Sequence, residues 1–430
     1  MMPSKLNSSR LAPNFHFSCL LLLASCCSPC FAQDWTRFRG PGGSCLSDDK
    51  TIPVEWSATK NLAWKVALPG RGSSSPVTWR DRVYVTCYTG YGLDVESPGD
   101  MDDLERHLMC IRRSDGEVLW KRTMASKAAV HAYEGSLHHH GYATHTPTVN
   151  QDGVYVFYGS SGAASYTHAG ELRWETSCGT RVHGYGSASS PILFEDVLIV
   201  SAHVESESII GLDTQRGREL WRVDAARYVW GTPLIAGEGD KAELVCFKDK
   251  RKVAGLNPTN GETLWSFHTS AQDVHPGQSS PLLHKDTIIT TPGGWGSNSF
   301  RFGGKGDVTD SHRQWNTNAL YGSALVYDDQ LIMSFRGVLR IGDAKTSKSI
   351  EHVRMRPSQD GFASSVVAGD KLYWPYKEHG VCVVQLGPEP MQIAHNVLDG
   401  DDSFFNATPA ISNGQLFLRS DSYLYCIQKK

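Results

Sequence analysis

The sequence predicts an all-β protein, an eight-bladed β-propeller of four-stranded antiparallel blades. The first observation is a repeated unit, clearest in residues 189–224, in which four short apolar strands are separated by polar turns. The second is even spacing, because the residue that opens each unit recurs at steps of 42 to 48 residues from Pro147 to Pro409. The third is a tryptophan in the fourth strand of successive units. A lone four-stranded sheet cannot bury both faces, so we expect the units to stack in one closed domain.

Two positions set the register of the repeat. The opening residues are Pro76, Pro147, Pro191, Pro233, Pro281, Ala324, Val366 and Pro409. The tryptophans expected to pack the blades are Trp64, Trp120, Trp174, Trp221, Trp265 and Trp315. Ten residues before three of them stand Cys110, Gly211 and Gly255. We interpret this small position as the place where a third strand presses on the next sheet.

The last unit, residues 406–430, ends after three strands. Its missing strand is predicted in Asn61–Leu68, NLAWKVAL, at the other end of the chain. Pairing of the two ends would close the ring and remove the exposed edges of an open array. The chain therefore divides into an export segment at 1–32, a leader at 33–60 and a propeller at 61–430.

Charge and the amino terminus define the expected location. A net charge of −3 gives no long-range attraction to nucleic acid, which is not an expected partner. Residues 1–32 combine positive charge, a short apolar run and a small-residue cleavage site, which is typical of a signal peptide. The run also resembles a bacterial lipobox in which Cys26 is acylated. Secretion and lipid anchoring both stay open, and either places the body in the periplasm or cell envelope.

The cysteines and the leader give two further expectations. Seven of the 11 cysteines lie outside the export segment, and an odd number argues against a disulfide framework. Pairing of Cys87 with Cys110, on strands of one blade, stays open. The leader contains Trp35, Phe38 and Trp56, which are too apolar for a free tail. We expect it to lie against the side of the propeller.

The links between blades carry the candidate site. In a propeller, each link from an outermost strand to the next innermost strand crosses one face toward the central channel. Glycine recurs in these links beside an aromatic residue or histidine, and the candidate ligand-binding residues at the mouth are His139, His140, Tyr142, His145, His183, Tyr185, Trp230 and His275. Packing of the gap between strands and ligand binding both remain as interpretations. The imidazoles suit acid–base chemistry or a transition metal, but no metal site is predicted, because no histidine pair lies on a rigid element with a carboxylate.

The repeat resembles the pyrroloquinoline-quinone (PQQ) repeat propellers. The matching pieces are SSPVTWRDRVYV at 74–85, IIGLDTQRGRELW at 209–221 and VAGLNPTNGETLW at 253–265. The leader, WTRFRGPGG, followed by NLAWKVALPGRGSSSP, is similar to exported members of this family in planctomycete-type bacteria.

The resemblance implies two functions. Family members such as the outer-membrane assembly lipoprotein BamB are binding platforms, which implies a non-catalytic scaffold of the cell envelope that takes a protein or another envelope component at the mouth. Family dehydrogenases hold PQQ with calcium in the channel, between a tryptophan and a vicinal cysteine ring, and oxidise an alcohol or sugar. The one vicinal pair here, Cys26-Cys27, lies in the export segment. We therefore expect the scaffold, with the dehydrogenase as the alternative and with Trp230 or Trp295 as its stacking floor.

Overall fold

Eight sheets, one for each blade, are built from the strands of the described residues. The computed structural model describes residue 1 and residues 34–126, 130–227, 229–249, 251–269, 279–291, 296–317, 324–358, 361–378 and 380–430. Strands are numbered in chain order, and β1 (Leu46–Ser47) and β2 (Leu62–Ala67) precede the first blade. Blade 1 contains β3 (Val77–Trp79), β4 (Arg82–Thr89), β5 (Glu105–Arg112) and β6 (Val118–Ala125). Blade 2 contains β7 (Thr148–Asn150), β8 (Gly153–Phe157), β9 (Ala163–Tyr166) and β10 (Leu172–Thr176).

The remaining blades follow the same order with two additions. Blade 3 contains β11 (Ile192–Phe194), β12 (Val197–Ala202), β13 (Ser208–Asp213) and β14 (Glu219–Asp224). Blade 4 contains β15 (Leu234–Ala236), β16 (Glu243–Asp249), β17 (Lys252–Leu256) and β18 (Thr263–His268). Blade 5 contains β19 (Leu282–His284), β20 (Thr287–Thr290), β21 (Ser297–Arg301) and β23 (Arg313–Thr317). The short strand β22 (Gly306–Asp307) pairs in parallel with β18 of blade 4. Blade 6 contains β24 (Leu325–Tyr327), β25 (Gln330–Phe335), β26 (Val338–Asp343) and β27 (Ser349–Arg354). Blade 7 contains β28 (Val366–Ala368), β29 (Lys371–Pro375), β30 (Val381–Gln385) and β31 (Met391–Asn396).

Blade 8 closes the ring as predicted. Its chain-terminal strands are β32 (Ala410–Ser412), β33 (Gln415–Arg419) and β34 (Tyr423–Gln428), and β2 is the fourth strand. β2 pairs antiparallel with β34, with Trp64 opposite Cys426 and Lys65 opposite Tyr425. The prediction of an eight-bladed, all-β propeller closed by an amino-terminal strand is confirmed.

Helices are few and short in the described part of the chain. They are α1 (Leu137–His140), α2 (His203–Ser206) and α3 (Thr309–His312), with 3-10 turns at Pro41–Gly43, Met101–Asp103, Gly159–Ser161 and Gly239–Lys241. None of the described helices is long and apolar enough to cross a bilayer.

Burial explains the apolar runs of the middle strands. All six residues of β12 are buried, because neighbouring blades cover both of its faces. The outer strand β14 buries Trp221 alone and exposes most of the others. Continuous apolar segments therefore mark the middle of a blade, and mixed segments mark its outer edge.

The tryptophans link consecutive blades, and the small position serves a purpose that we had not predicted. Trp221 in blade 3 donates its indole N–H to the Pro258 carbonyl oxygen in blade 4 at 3.2 Å. Gly211 lies opposite Trp221 in the sheet, and a Cβ there would lie 2.2 Å from the indole. Cys110, at the same position in blade 1, lies in a core cluster with residues of blade 2, as we interpreted, whereas Gly211 serves a second purpose. It makes room for the tryptophan of its own blade.

The first half of the leader crosses the central channel, so the prediction that it lies against the propeller's side was wrong for this half. The carbonyl oxygen of Thr36 accepts a hydrogen bond from Val149 in β7 at 2.9 Å, and that of Cys45 accepts one from Val367 in β28 at 2.9 Å. Arg37 donates to the Pro233 carbonyl oxygen, next to β15, at 3.2 Å, and β1 pairs in parallel with β28. Innermost strands are sheet edges with unpaired backbone groups, and the leader supplies partners for them.

The second half of the leader packs on blade 7. The Trp56 ring lies 6.2 Å from that of Tyr373 in β29, and the backbone N–H of Trp56 donates to the Asn396 side-chain oxygen at 2.9 Å. The chain then continues into β2 and blade 8.

Cysteines of the described residues are all free and buried. Cys87 lies opposite His107 and Cys110 lies opposite Tyr84 in the pairing of β4 with β5. Their side chains therefore pack as small apolar groups, and the open question of a Cys87–Cys110 disulfide is answered by two separate thiols.

Candidate functional site

A partial ring of hydroxyl groups joins neighbouring blades at the channel mouth. In blades 1 to 4, the backbone N–H of the residue before the opening proline donates to the Ser or Thr hydroxyl in the same place in the next blade. In blade 7, which has no opening proline, the donor is Ser364, two residues before Val366. The bonds run from Ser75 to Thr146 (2.9 Å), Thr146 to Ser190 (3.0 Å), Ser190 to Thr232 (2.9 Å) and Thr232 to Ser280 (3.0 Å), and Ser364 bonds Thr408 (3.0 Å). Among the described residues the Ser75 hydroxyl has no partner, so blade 8 is not joined to blade 1 in this way. The sequence analysis missed this ring. Its signal was visible as Ser or Thr before the repeated proline.

The ring encloses a vestibule with a volume of about 370 Å³. Phe38 of the leader lines it from within the channel, and Ser190, Thr232 and Thr408 contribute hydroxyls to its wall. The leader therefore forms part of the vestibule's lining, and the vestibule opens on the face that carries the blade links.

Aromatic residues form the rim of the vestibule. Phe362, in the link from blade 6 to blade 7, is 64% exposed and stacks on His139 with ring centroids 5.7 Å apart. His140 Nε2 lies 3.0 Å from the Tyr185 carbonyl oxygen, and Tyr185 is 46% exposed. The Tyr185 ring lies 5.8 Å from that of Trp230. Phe362 was not among the predicted site residues, although it lies in one of the glycine-containing links.

A second, lateral pocket lies beside the vestibule between blades 1, 2 and 3. Its cavity of about 40 Å³ is lined by Arg106, His145, Tyr158, Glu205 and other residues. His145 Nε2 lies 3.0 Å from the Ser187 hydroxyl, and its ring packs edge-on against Phe157. Three of these side chains converge on Gly159, because a Cβ at that position would lie 3.0 Å from Glu205 Oε1, 3.5 Å from Ser187 Cβ and 3.7 Å from His145 Cε1.

Burial sets the charges in the lateral pocket. It raises the pKa of Glu205 to about 7, against small opposing effects of Ser187 and Arg106. Ser187 is near Glu205, but no contact of hydrogen-bond geometry joins them within the described residues. Burial, with Arg106 and His140 nearby, lowers the pKa of His145 to about 3. His145 is therefore neutral at pH 7.

The predicted residues fall into two groups rather than one ring. His139, His140 and Trp230 line the vestibule, whereas Tyr142, His145 and His183 line the lateral pocket. The rings of His183, Tyr185 and Trp230 contact one another where the two groups meet. Burial lowers the pKa of His139, His140 and His183 as well, which disfavours the cationic form of each imidazole. His275, Trp295 and Cys26 lie outside the described residues. Within the described ranges, no cluster of three or more His, Cys, Asp or Glu could hold a metal ion.

The comparisons with known proteins agree with this architecture. Residues 166–374 match the family described as outer membrane protein assembly factor BamB. The match covers just under half of the chain and shows what this stretch is similar to. No curated protein matches the sequence.

Three solved structures are similar to the propeller. BamB from Moraxella catarrhalis is 12% identical over 86% of this chain and 97% of its own, with a TM-score of 0.60. The quinohemoprotein alcohol dehydrogenase ADHIIG from Pseudomonas putida HK5 is 9% identical over 91% of this chain and 80% of its own, with a TM-score of 0.60. The computationally designed Ika8 protein is 10% identical over 84% of this chain and 98% of its own, with a TM-score of 0.54. At these identities the likeness establishes the fold alone.

The lining of the vestibule does not fit the quinone. Its described residues are apolar, hydroxyl, amide or imidazole groups, and none of them is Asp, Glu, Lys or Arg. The carboxylates of the quinone and an accompanying calcium ion would therefore have no charged partner there. Arg106 and Glu205 line the lateral pocket, whose volume of about 40 Å³ is too small for a fused-ring cofactor. No catalytic step is therefore derived through PQQ.

Proposed function

We propose that this protein is an exported, non-catalytic binding module of the cell envelope that holds a segment of a protein partner at the vestibule. The observation that carries the proposal is the exposed aromatic rim, above all Phe362, which lines the vestibule and is 64% exposed. Exposed aromatic groups around a concave site are typical of protein interfaces, where they supply most of the binding energy.

The chemistry of the vestibule favours a polypeptide over an ion. Its wall carries Ser and Thr hydroxyls that are already used between blades, and its rim histidines have lowered pKa values. A neutral site of this kind suits an extended chain, because apolar side chains can stack on the rings while peptide groups meet the hydroxyls.

The family match supports the same class of partner. The matching family is named for outer membrane protein assembly, a role that involves other proteins. The signal-like segment at 1–32 and the lipobox cysteine Cys26 support export, with the propeller either secreted or tethered by a lipid.

The test is a binding titration with the purified full chain. The probe is a bacterial outer-membrane β-barrel protein, diluted from urea so that it presents unfolded chain. We expect the double variant His139→Ala/Phe362→Ala to weaken binding by about tenfold or more, because it removes the stacked pair at the rim. The control Ile350→Ala alters a side chain that is 54% exposed on the outer strand β27, and it should leave the affinity unchanged.

Two results would contradict the proposal. One is absence of binding, or equal loss in the rim and control variants. The other is turnover of alcohols or sugars by the same preparation after addition of PQQ and calcium, which would establish the dehydrogenase instead.

A further inference from the structure

The lateral pocket contains more hydrogen-bonding capacity than the surrounding protein uses. Among the described residues, no partner is found for His145 Nδ1, the Tyr158 hydroxyl or either carboxylate oxygen of Glu205. Glu205 is 2% exposed, His145 5% and Tyr158 2%. A buried polar atom without a partner costs about 1–3 kcal/mol. Four such atoms around one cavity indicate a place for a ligand rather than a packing defect.

Charge in the pocket selects a neutral ligand. Arg106 lines the cavity and keeps its own side chain in place by donating to the Tyr142 carbonyl oxygen at 3.1 Å and to the Ser161 hydroxyl at 2.8 Å. This guanidinium repels a cation, as does that of Arg181, which also lines the cavity and is paired with Glu207. The Glu205 carboxylate opposes an anion. When Glu205 is ionised, both of its oxygens accept hydrogen bonds, and the ligand must be able to donate both.

The shape of the pocket selects a ligand with a small polar end and a larger body. His131 and His183 line the inner cavity of about 40 Å³ and also an outer groove of about 500 Å³, so they form a neck between the two. The inner space holds about three water-sized groups. In the outer groove, Tyr185 offers an exposed ring, 5.3 Å from that of His183.

From this geometry we propose that the lateral pocket binds a neutral carbohydrate, with two adjacent hydroxyl groups in the inner cavity and the sugar ring in the outer groove. The two hydroxyls donate to Glu205 Oε1 and Oε2. Hydroxyl oxygens also accept hydrogen bonds, and Tyr158 and Arg106 can donate to them. The rings of Tyr185 and His183 cover the sugar ring. The inner cavity shares no lining residue with the vestibule, the outer groove shares Ser136 with it, and Phe362 lines neither the cavity nor the groove.

The test uses the full chain and a panel of D-glucose, D-galactose, D-mannose and N-acetylglucosamine, followed by saturation-transfer NMR and calorimetry. We expect at least one sugar to bind in the millimolar range, with the strongest saturation on protons beside two adjacent hydroxyls. Glu205→Gln should weaken binding about tenfold or more, because one acceptor oxygen becomes a donor. Glu171→Gln, in an exposed turn of blade 2, is the matched control and should leave the affinity unchanged.

A second variant, Tyr185→Ala, tests the proposal even if Glu205→Gln does not fold, because Tyr185 is exposed and its loss should leave the fold intact. This variant should weaken the binding of the same sugar by about fivefold, while the melting temperature of the protein stays the same. The assignment is overturned if no sugar binds at high concentration, if acetamide or urea binds in place of the sugars, or if both variants keep the full affinity. Phe362→Ala should leave sugar binding intact, so failure here and failure of the protein-binding proposal are distinguishable.

Discussion

The outer tryptophans and the aromatic rim of the mouth use the same kind of side chain in opposite ways. Trp64, Trp174 and Trp221 are each 7% exposed, and their indole N–H groups donate to carbonyl oxygens of the following blade. Phe362 and Tyr185 are far more exposed, and they lie in links that differ from blade to blade. The comparison teaches that the repeated aromatics hold the ring together, whereas the irregular ones are available to a partner.

The largest effect on stability is expected in the outer set. Trp221→Ala should lower the free energy of unfolding by about 3–5 kcal/mol, because it leaves a cavity and an unpaired Pro258 carbonyl oxygen. Leu220→Ala, at a neighbouring side chain that is 43% exposed, should change it by less than about 0.5 kcal/mol. Urea denaturation measures both. Equal losses would mean that the outer tryptophans do not join the blades.

The next effect concerns the lateral pocket and depends on pH. The pKa of Glu205 is about 7 in the folded protein and near 4.5 when unfolded, so the folded state binds the proton more tightly. The stability that proton binding at Glu205 contributes is fully present below pH 4.5 and is lost as the pH rises through about 7. The free energy of unfolding changes by about 3 kcal/mol over this range.

Comparison with Glu205→Gln isolates that change. The difference in free energy of unfolding between wild type and variant should change by this amount between pH 4.5 and pH 8. The wild type should become less stable relative to the variant as the pH rises. His145 and His203, whose pKa values burial lowers to about 3 and about 4, destabilise the fold on acidification in both proteins and so cancel. A flat difference curve would contradict the buried state of Glu205.

A smaller effect is expected in the hydroxyl ring. Thr232→Val removes the acceptor of the Ser190 N–H and should cost about 1–2 kcal/mol, measured by urea denaturation. Thr232→Ser keeps the hydroxyl and should recover most of this. If Thr232→Ser and Thr232→Val lower the free energy of unfolding equally, the loss arises from packing and the hydrogen bond does not contribute.

The smallest effect on stability is expected at the rim. Phe362→Ala should alter the free energy of unfolding by less than about 0.5 kcal/mol, because the ring is 64% exposed. The same variant should weaken binding of the protein partner severalfold. Thermal denaturation and the titration with unfolded outer-membrane protein measure the two quantities. A large loss of stability with unchanged binding would assign Phe362 to packing.

The parts of the fold that repeat could be predicted from the sequence. Pro191, Trp221 and their equivalents gave the number of blades, and the unpaired strand around Trp64 gave the closure. The path of the leader could not be predicted, because its contacts are backbone hydrogen bonds between Thr36 or Cys45 and distant strands, which leave no pattern in the side chains.

The candidate site could be predicted only in part. The glycine and aromatic content of the links located the mouth, and His139, His140 and Trp230 do line the vestibule. The separation of His145 and His183 into a lateral pocket depends on Arg106 in β5 and Glu205 in α2, which lie inside blades 1 and 3 and carry no motif. Their roles depend on burial, which appears only when the blades are assembled.

Site-specific photo-cross-linking in cells that export the full chain tests the central claim most directly. A photoreactive amino acid replaces Phe362 at the rim in one strain and Ile350 on the outer strand β27 in another, and covalent adducts are identified by mass spectrometry. Our account predicts polypeptide adducts at position 362 and none at position 350. Adducts at position 350 alone, or at both positions in equal amounts, would contradict binding at the vestibule.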